Sequence, residues 1–313
     1  MILVTGSAGF IGSNLCYHLV NDLGADVIGI DKLGPESNRG WTEPLEAGPG
    51  GKRMIFRPVN LCEYHPVKRL FEEYPIEHVI HLAAESHVDR SITNPSSFWM
   101  SNVIGTEHLL HACHKFGVKT VINQITDEVY GERPDDPACE GDAFAPTSPY
   151  PCSKMAQYYV GKSYHTTYGL PVMSTFPVNC YGPRQFHEKL IPKFITKLME
   201  GEKVPLMAST HFERDWLPVE DMCKAHSTLI SKGVPGEDYN VGAFNHHTNM
   251  QITHKLLDLC GRDENAIEIV PDRKAHDSRY AVTNQKMKDL GWAVTYDFDD
   301  YLEYTVEWYR EQL

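Results

Sequence analysis

The sequence has no apolar run near the roughly 20 residues that span a bilayer. It also has no Cys-x-x-Cys pair, no internal repeat and no low-complexity tract. The eight cysteines (Cys16, Cys62, Cys113, Cys139, Cys152, Cys180, Cys223 and Cys260) are scattered, which reads as reduced, mostly buried thiols. Positive charge is short as well: 29 Lys and Arg face 42 Asp and Glu, for a net charge of −13. That balance argues against sequence-independent binding to nucleic acid. It also means that an anionic substrate must be met by a few basic residues gathered at one spot. A basic leader is missing too, since "MILVTG" reaches a glycine after four apolar residues. No signal peptide is expected, and a cytoplasmic enzyme is the working expectation.

What is present is ordinary in bulk and patterned in detail. With 313 residues, 42% hydrophobic and 23% charged, the chain can build one large α/β domain with a smaller one appended. Sixteen histidines include His108, His111 and His114 in "HLLHACH". Steps of three drift around a helix, so these three do not converge easily on one ion, and no metal site is expected; a zinc site needs about four closed ligands. Helix surface or a subunit contact is the reading adopted.

Through the first 175 residues, the strand-like runs "MILVT", "DVIGI", "MIFRPV", "HVIHLA", "TVINQI" and "PVMSTF" alternate with helical stretches at 10–23, 64–73, 94–117 and 148–169. This rhythm predicts a Rossmann-type, doubly wound parallel sheet with helices on both faces. The Gly/Pro-rich stretch 33–52 is expected to be a mobile loop. Beyond residue 176 the pattern loosens into helices near 188–200, 220–231, 248–260 and 298–311 and short strands near 215–219, 237–241 and 266–270. The expectation is a larger domain over 1–175 that carries the parallel sheet and a smaller C-terminal lobe over 176–313, with some later segments returning to the sheet.

"VTGSAGFIGSNL" places Gly6, Gly9 and Gly12 between a strand and a helix. Glycine there permits a tight turn and close approach to a pyrophosphate, and the helix N-terminus offers unpaired N–H groups to the phosphates. Asp31 ends the second strand; an acid there accepts from ribose hydroxyls and repels a 2′-phosphate, favouring NAD over NADP. Lys32 makes that exclusion less than absolute. Asn60, after the third strand, reads either as an acceptor for the adenine amine or as a loop residue.

"YPCSK" sets Tyr150 and Lys154 one turn apart on a helix face. An ammonium close to a phenol favours the phenolate, making tyrosine a usable base. In "QITDEVYG", Asp127 and Glu128 stand side by side directly after a strand, where neighbouring side chains normally diverge.

In order along the chain, the glycine turn, Asp31, "HLAAESHVDRS", "TDEVYG", "SPYPCSK", "NCYGP", "EKLIP", "RDWLPVEDM" and "DRKAHDSRYAV" resemble the extended short-chain dehydrogenase/reductase family, and within it the dTDP-glucose 4,6-dehydratases. The similarity runs from residue 2 to about residue 292. It implies NAD as cofactor, held by Gly6, Gly9, Phe10, Ile11, Gly12, Asp31 and Lys32, by Asn60, Leu61, Leu82, Ala83 and Ala84, and by Tyr150 and Lys154. It implies a nucleotide-sugar substrate met by Ser86, His87, Asn179, Glu188, Lys189, Leu190, Arg214, Arg273 and His276, and a homodimer formed through the helices around 94–117 and 148–169.

The resemblance also gives the acid pair a task. Tyr150 takes the 4-hydroxyl proton with Thr126 on the same oxygen, Glu128 removes the C5 proton, and a protonated Asp127 donates to the departing 6-hydroxyl. Two close carboxylates raise one pKa and keep that proton available. For both to reach one sugar, the backbone must bend out of strand geometry at about 126–128. Ile125, Pro151, Phe176 and the stretch "MASTHFERDWL" depart from the family pattern, which touches the sugar and base assignment more than the reaction type. The rival readings are a UDP-sugar 4,6-dehydratase, a nucleotide-sugar epimerase or decarboxylase, and a non-catalytic NAD-binding regulator.

Overall fold

The computed structural model describes residues 1–47, 53–272 and 277–312. Twelve strands run through the described residues: β1 Ile2–Thr5, β2 Val27–Asp31, β3 Met54–Pro58, β4 His78–His81, β5 Thr120–Gln124, β6 Val172–Pro177, β7 Asn179–Tyr181, β8 Val204–Met207, β9 Glu213–Pro218, β10 Asp238–Val241, β11 His246–Thr248 and β12 Ile267–Val270. Seven form one sheet in the order β10-β6-β5-β4-β1-β2-β3, with every pairing parallel. The chain steps outward from β1 through β2 to β3, then returns to β4 on the other side. This reversal is where α/β sheets open a crevice at their carboxyl ends.

The register explains why these runs are strands. Leu3 pairs with Ile28 and Val79, Val79 with Val121, and Val121 with Val172, one apolar row across five strands. Their neighbours Val4, Val27, Ile80, Ile122 and Met173 line the opposite face and belong to a second core. A sheet covered on both faces needs apolar residues at every position rather than in alternation, and the "VIGI" of β2 is buried throughout. Burying each Leu, Ile or Val contributes roughly 1.5–3 kcal/mol.

The smaller lobe has its own core, in which Phe194, Trp216, Leu256 and Tyr301 pack together. It contains the three-stranded sheet β11-β9-β7 and the pair β12-β8. β10 instead joins the main sheet beside β6, and the helix Val219–Lys232 contributes Met222 and Leu229 to the core that lies against β5.

Several elements depart from expectation. The stretch 33–52, expected as a loop, forms a 3₁₀ turn, Arg39–Trp41, and a helix, Glu43–Ala47, while residues 48–52 lie outside the described ones. Its turn is fixed locally: Asn38 caps it through Gly40 N and donates its own N–H to Ala8 O. A helix at Val88–Thr93 and strands β7, β8 and β11 were not expected. The histidines of "HLLHACH" go separate ways, His111 against Tyr64 and His114 against Tyr168. No group among the described residues could hold a metal ion, and none of their helices is long and apolar enough to cross a membrane.

Candidate active site

The crevice at the sheet reversal is a cleft of about 290 Å³. One wall is the glycine turn and the ends of β2, β3 and β4. Gly6, Gly9, Phe10, Ile11, Gly12, Asp31, Lys32, Asn60, Leu61, Leu82, Ala83 and Ala84 all line it. Gly12 allows the turn to close, because a Cβ there would stand 2.0 Å from Gly6 O.

Asp31 accepts from Leu33 N and Ser37 Oγ at 2.8 Å on one oxygen and from Ala8 N at 3.2 Å on the other. A carboxylate has about four acceptor sites, so capacity remains for a ligand hydroxyl. Lys32 pairs with Glu85 and also donates to Ser101 Oγ. Asn60 Oδ1 accepts from Cys62 N at 3.1 Å, closing a local turn while the residue lines the cleft.

A buried relay props this wall from behind. Thr5 Oγ1 accepts from Leu82 N and Ala83 N at 3.1 and 3.0 Å, which leaves its proton for His81 Nδ1 at 2.8 Å. His81 Nε2–H then donates to Thr106 Oγ1, also at 2.8 Å. Burial pushes the His81 pKa down to about 3, so the ring is neutral in the tautomer the relay needs.

The opposite wall carries Tyr150, Lys154 and the acid pair. β5 ends at Gln124, Thr126 stays extended (φ −166°, ψ 150°), and its hydroxyl accepts from Glu128 N to start a 3₁₀ turn, Asp127–Tyr130. The bend expected at 126–128 is there, and it turns both acids toward the cleft, which each lines. Their surroundings differ. Asp127 is 3% exposed, and its Oδ2 has no hydrogen-bond partner among the described residues, whereas Glu128 is half-buried. Burial, then the Glu128 carboxylate, holds the Asp127 pKa well above the usual carboxylate range, against the pull of Arg214. That direction favours the protonated form of Asp127.

Tyr150 and Lys154 lie in the first turns of the helix Pro149–Tyr168, with Pro149 and Pro151 tolerated near its start. The phenol is pushed up by burial and then by Glu128, while a hydrogen bond with Thr126 opposes both. The expected lowering of Tyr150 by Lys154 is corrected here. Lys154 Nζ is turned to Gln124 O and Gln157 Oε1, both at 2.7 Å, and burial pushes its own pKa down to about 7.

The substrate-side residues fall into three groups. Ser86, Asn179 and Lys189 line the cleft. His87 and Glu188, 3.4 Å apart, do not line it, and Leu190 packs against the core of the smaller lobe. Arg214 lies behind the wall, giving hydrogen bonds to Glu213 O, Ser278 O and Asp277 O and stacking on Tyr280. It acts on Asp127 through its charge rather than as a lining residue. Arg273 and His276 lie outside the described residues.

Sequence reasoning missed Glu36 and Arg90. Arg90 donates to Glu36 at 3.1 Å and to Glu188 at 2.7 Å, and Glu36 also accepts from Ser86 Oγ. This bridge ties the loop after β2 to the segment before the helix Leu190–Met199. Arg90 stands within the "HVDRS" motif, which was its signal, whereas Glu36 was set aside with the loop.

The GDP-mannose 4,6 dehydratase family matches residues 3–305. The dTDP-glucose 4,6-dehydratase 1 of Escherichia coli (strain K12) is 37% identical over 98% of this chain and 92% of its own length. The crystal structure of a dTDP-glucose 4,6-dehydratase from Streptomyces venezuelae with NAD and TYD bound is 39% identical and superposes with a TM-score of 0.94 over 99% of this chain and 97% of that one. A Thermus thermophilus UDP-glucose 4-epimerase in complex with NAD is 29% identical, with a TM-score of 0.91 over 100% of this chain and 99% of that one.

Proposed function

This chain belongs to the GDP-mannose 4,6 dehydratase family, and we propose that it is an NAD-dependent hydro-lyase converting dTDP-glucose to dTDP-4-keto-6-deoxyglucose. The relatives at 36–39% identity over nearly the full chain bear that activity in their names, and the Streptomyces venezuelae structure holds NAD and TYD.

The residues fit the cofactor. A glycine turn that tolerates no Cβ at Gly12, a helix start at Phe10 and the Asp31 carboxylate with acceptor capacity to spare line one cleft. In this reading the cofactor wall described above holds the dinucleotide, and Lys154 holds its nicotinamide ribose. NAD, when bound, supplies a hydride acceptor at C4 and a hydride donor to C6, so the reaction has no net redox change.

The chain's own residues move the protons. Tyr150, once ionised, takes the 4-hydroxyl proton, with Thr126 sharing that oxygen. A ketone at C4 makes the C5 proton acidic, and Glu128, half-exposed and lining the same cleft, removes it. Asp127 protonates the 6-hydroxyl, which leaves as water. Ser86, His87, Asn179, Glu188, Lys189 and Leu190 are assigned to the nucleotide sugar, with Arg214 behind them and Arg273 and His276 completing the set.

One observation carries the choice of reaction. A buried carboxyl with an oxygen unpartnered among the described residues, Asp127, adjoins a more exposed one, Glu128, and an elimination needs one acid and one base at neighbouring positions. An epimerase would leave Asp127 without a task.

A homodimer is part of the same reading. Exposed Trp99, Met100, Ile104 and Tyr159, on the segments around 94–117 and 148–169, support it. The cytoplasm is the proposed location, supported by eight unpaired cysteines.

Incubation with dTDP-glucose is expected to give the alkaline absorbance of a 4-keto sugar and a product with a 6-methyl group. A larger signal with UDP-glucose would move the assignment to a UDP-sugar dehydratase. No signal with any nucleotide sugar, in protein shown to contain NAD, would overturn the reaction.

A further inference from the structure

Behind Lys154 lies a closed set of amides that the proposed chemistry does not use. Gln157 is fully buried, one turn along the helix from Lys154. Its Oε1 accepts from Lys154 Nζ at 2.7 Å, and its Nε2 donates to Asn123 Oδ1 at 2.7 Å and to Gln124 O at 3.2 Å. Asn123, also fully buried, returns a bond from Nδ2 to Gln157 O at 3.4 Å. An ammonium only donates, so the Gln157 oxygen must face Lys154 and its nitrogen must face Asn123. Every polar atom of both amides has a partner in that one orientation. The helix also makes room for the arrangement: a Cβ at Gly161 would stand 2.9 Å from Asn123 Nδ2.

We propose that Gln157, braced by Asn123, is a positioning residue for Lys154, fixing where its ammonium sits and keeping it charged inside the core. An acceptor on the charged form favours that form, and here it works against burial, which alone pulls the lysine down. The other ionisable groups facing this part of the cleft are Tyr150 on the same helix, neutral His81 on β4, and Asp127 and Glu128 on the turn after β5. None of them takes the place of the amide oxygen, since among the described residues Lys154 Nζ bonds only Gln124 O and Gln157 Oε1.

The test is the titration of Lys154 in protein labelled with [ε-¹³C]lysine, its signal assigned with Lys154→Arg. Gln157→Met keeps the length and removes the acceptor, and its Lys154 midpoint is expected to fall by about one pH unit. Gln157→Glu supplies a carboxylate and is expected to raise the midpoint by a similar amount. Should the Met variant fail to fold, the Glu variant decides alone. Midpoints that stay at the parent value while only the melting temperature moves would overturn the proposal.

A kinetic arm rests on the dehydratase reading. In Gln157→Met the alkaline fall of kcat is expected to begin about one pH unit lower, with KM for dTDP-glucose within twofold of the parent. The two readings fail separately. Parent protein that makes no 4-keto sugar, yet shows midpoints that move, sinks the reaction and keeps Gln157. An alkaline limb that does not move in a folded variant counts against Gln157 alone.

Discussion

On the cofactor wall of the cleft the backbone closes so tightly that Gly12 has room for hydrogen alone, and the polar groups behind it, from Thr5 through His81 to Thr106, are fully paired. On the facing wall a carboxyl oxygen, Asp127 Oδ2, is buried with no partner among the described residues. The first wall recognises a fixed shape and is stable for the same reasons that it recognises. In the proposed reaction the second keeps an unfavourable group because the elimination needs an acid there. Substitutions on the two walls should therefore separate loss of fold from loss of turnover.

The largest effect should fall on the chemical wall. Glu128→Gln is expected to lower kcat about 10³-fold or more with cofactor content unchanged; near-parental turnover in purified variant would remove the base from the scheme. Next comes the cofactor wall, where Gly12→Ala is expected to cost about 3 kcal/mol in urea unfolding and to lose bound NAD. A variant that still copurifies with NAD would show that the turn relaxes.

Asp127→Asn should cut turnover about 100-fold while leaving the melting temperature equal or higher. Because burial raises the native Asp127 pKa above its ordinary value of 3.8, the folded state binds the extra proton. This residue therefore makes stability fall as pH rises from about 4 toward its folded pKa, and the Asn variant should lack that slope.

The smallest effect concerns buried histidines. His81 and His226 are both pushed by burial to about 3 from 6.5, so the unfolded state binds more protons and stability is lost as pH falls from 6.5 toward 3. His226 has no ring partner among the described residues, unlike His81. His226→Leu should flatten the acid limb by up to about 1.4 kcal/mol per pH unit without weakening NAD binding.

How much of this was legible in advance follows from where each signal resides. The six strands β1 to β6 were readable because a doubly covered parallel sheet writes itself as continuous apolar runs. The bend after β5 was readable from chemistry, since Asp127 and Glu128 on a straight strand would face apart. β7 and β11 are three residues each, and β8 contains Pro205; such strands exist through their tertiary partners and leave little local pattern. The Lys154 geometry was misjudged because helical spacing from Tyr150 says nothing of Gln157 and the Gln124 carbonyl, which hold the ammonium from the same helix and from the end of β5. The Arg90–Glu188 bridge joins residues 98 apart in sequence, and no spacing rule reaches that far.

The placement of β10 beside β6 has a practical corollary for anyone dissecting the molecule. Polypeptide 1–176 produced alone would present β6 as a bare, apolar sheet margin, a template for self-association, and would lack Met222 and Leu229 from the helix that fills the core. Its neighbour strand arrives only after some sixty residues of excursion through the smaller lobe. Ribosomal synthesis must therefore pass β10 before the large sheet can finish, so the part that precedes residue 176 should mature late, after about half of the remaining chain has been made.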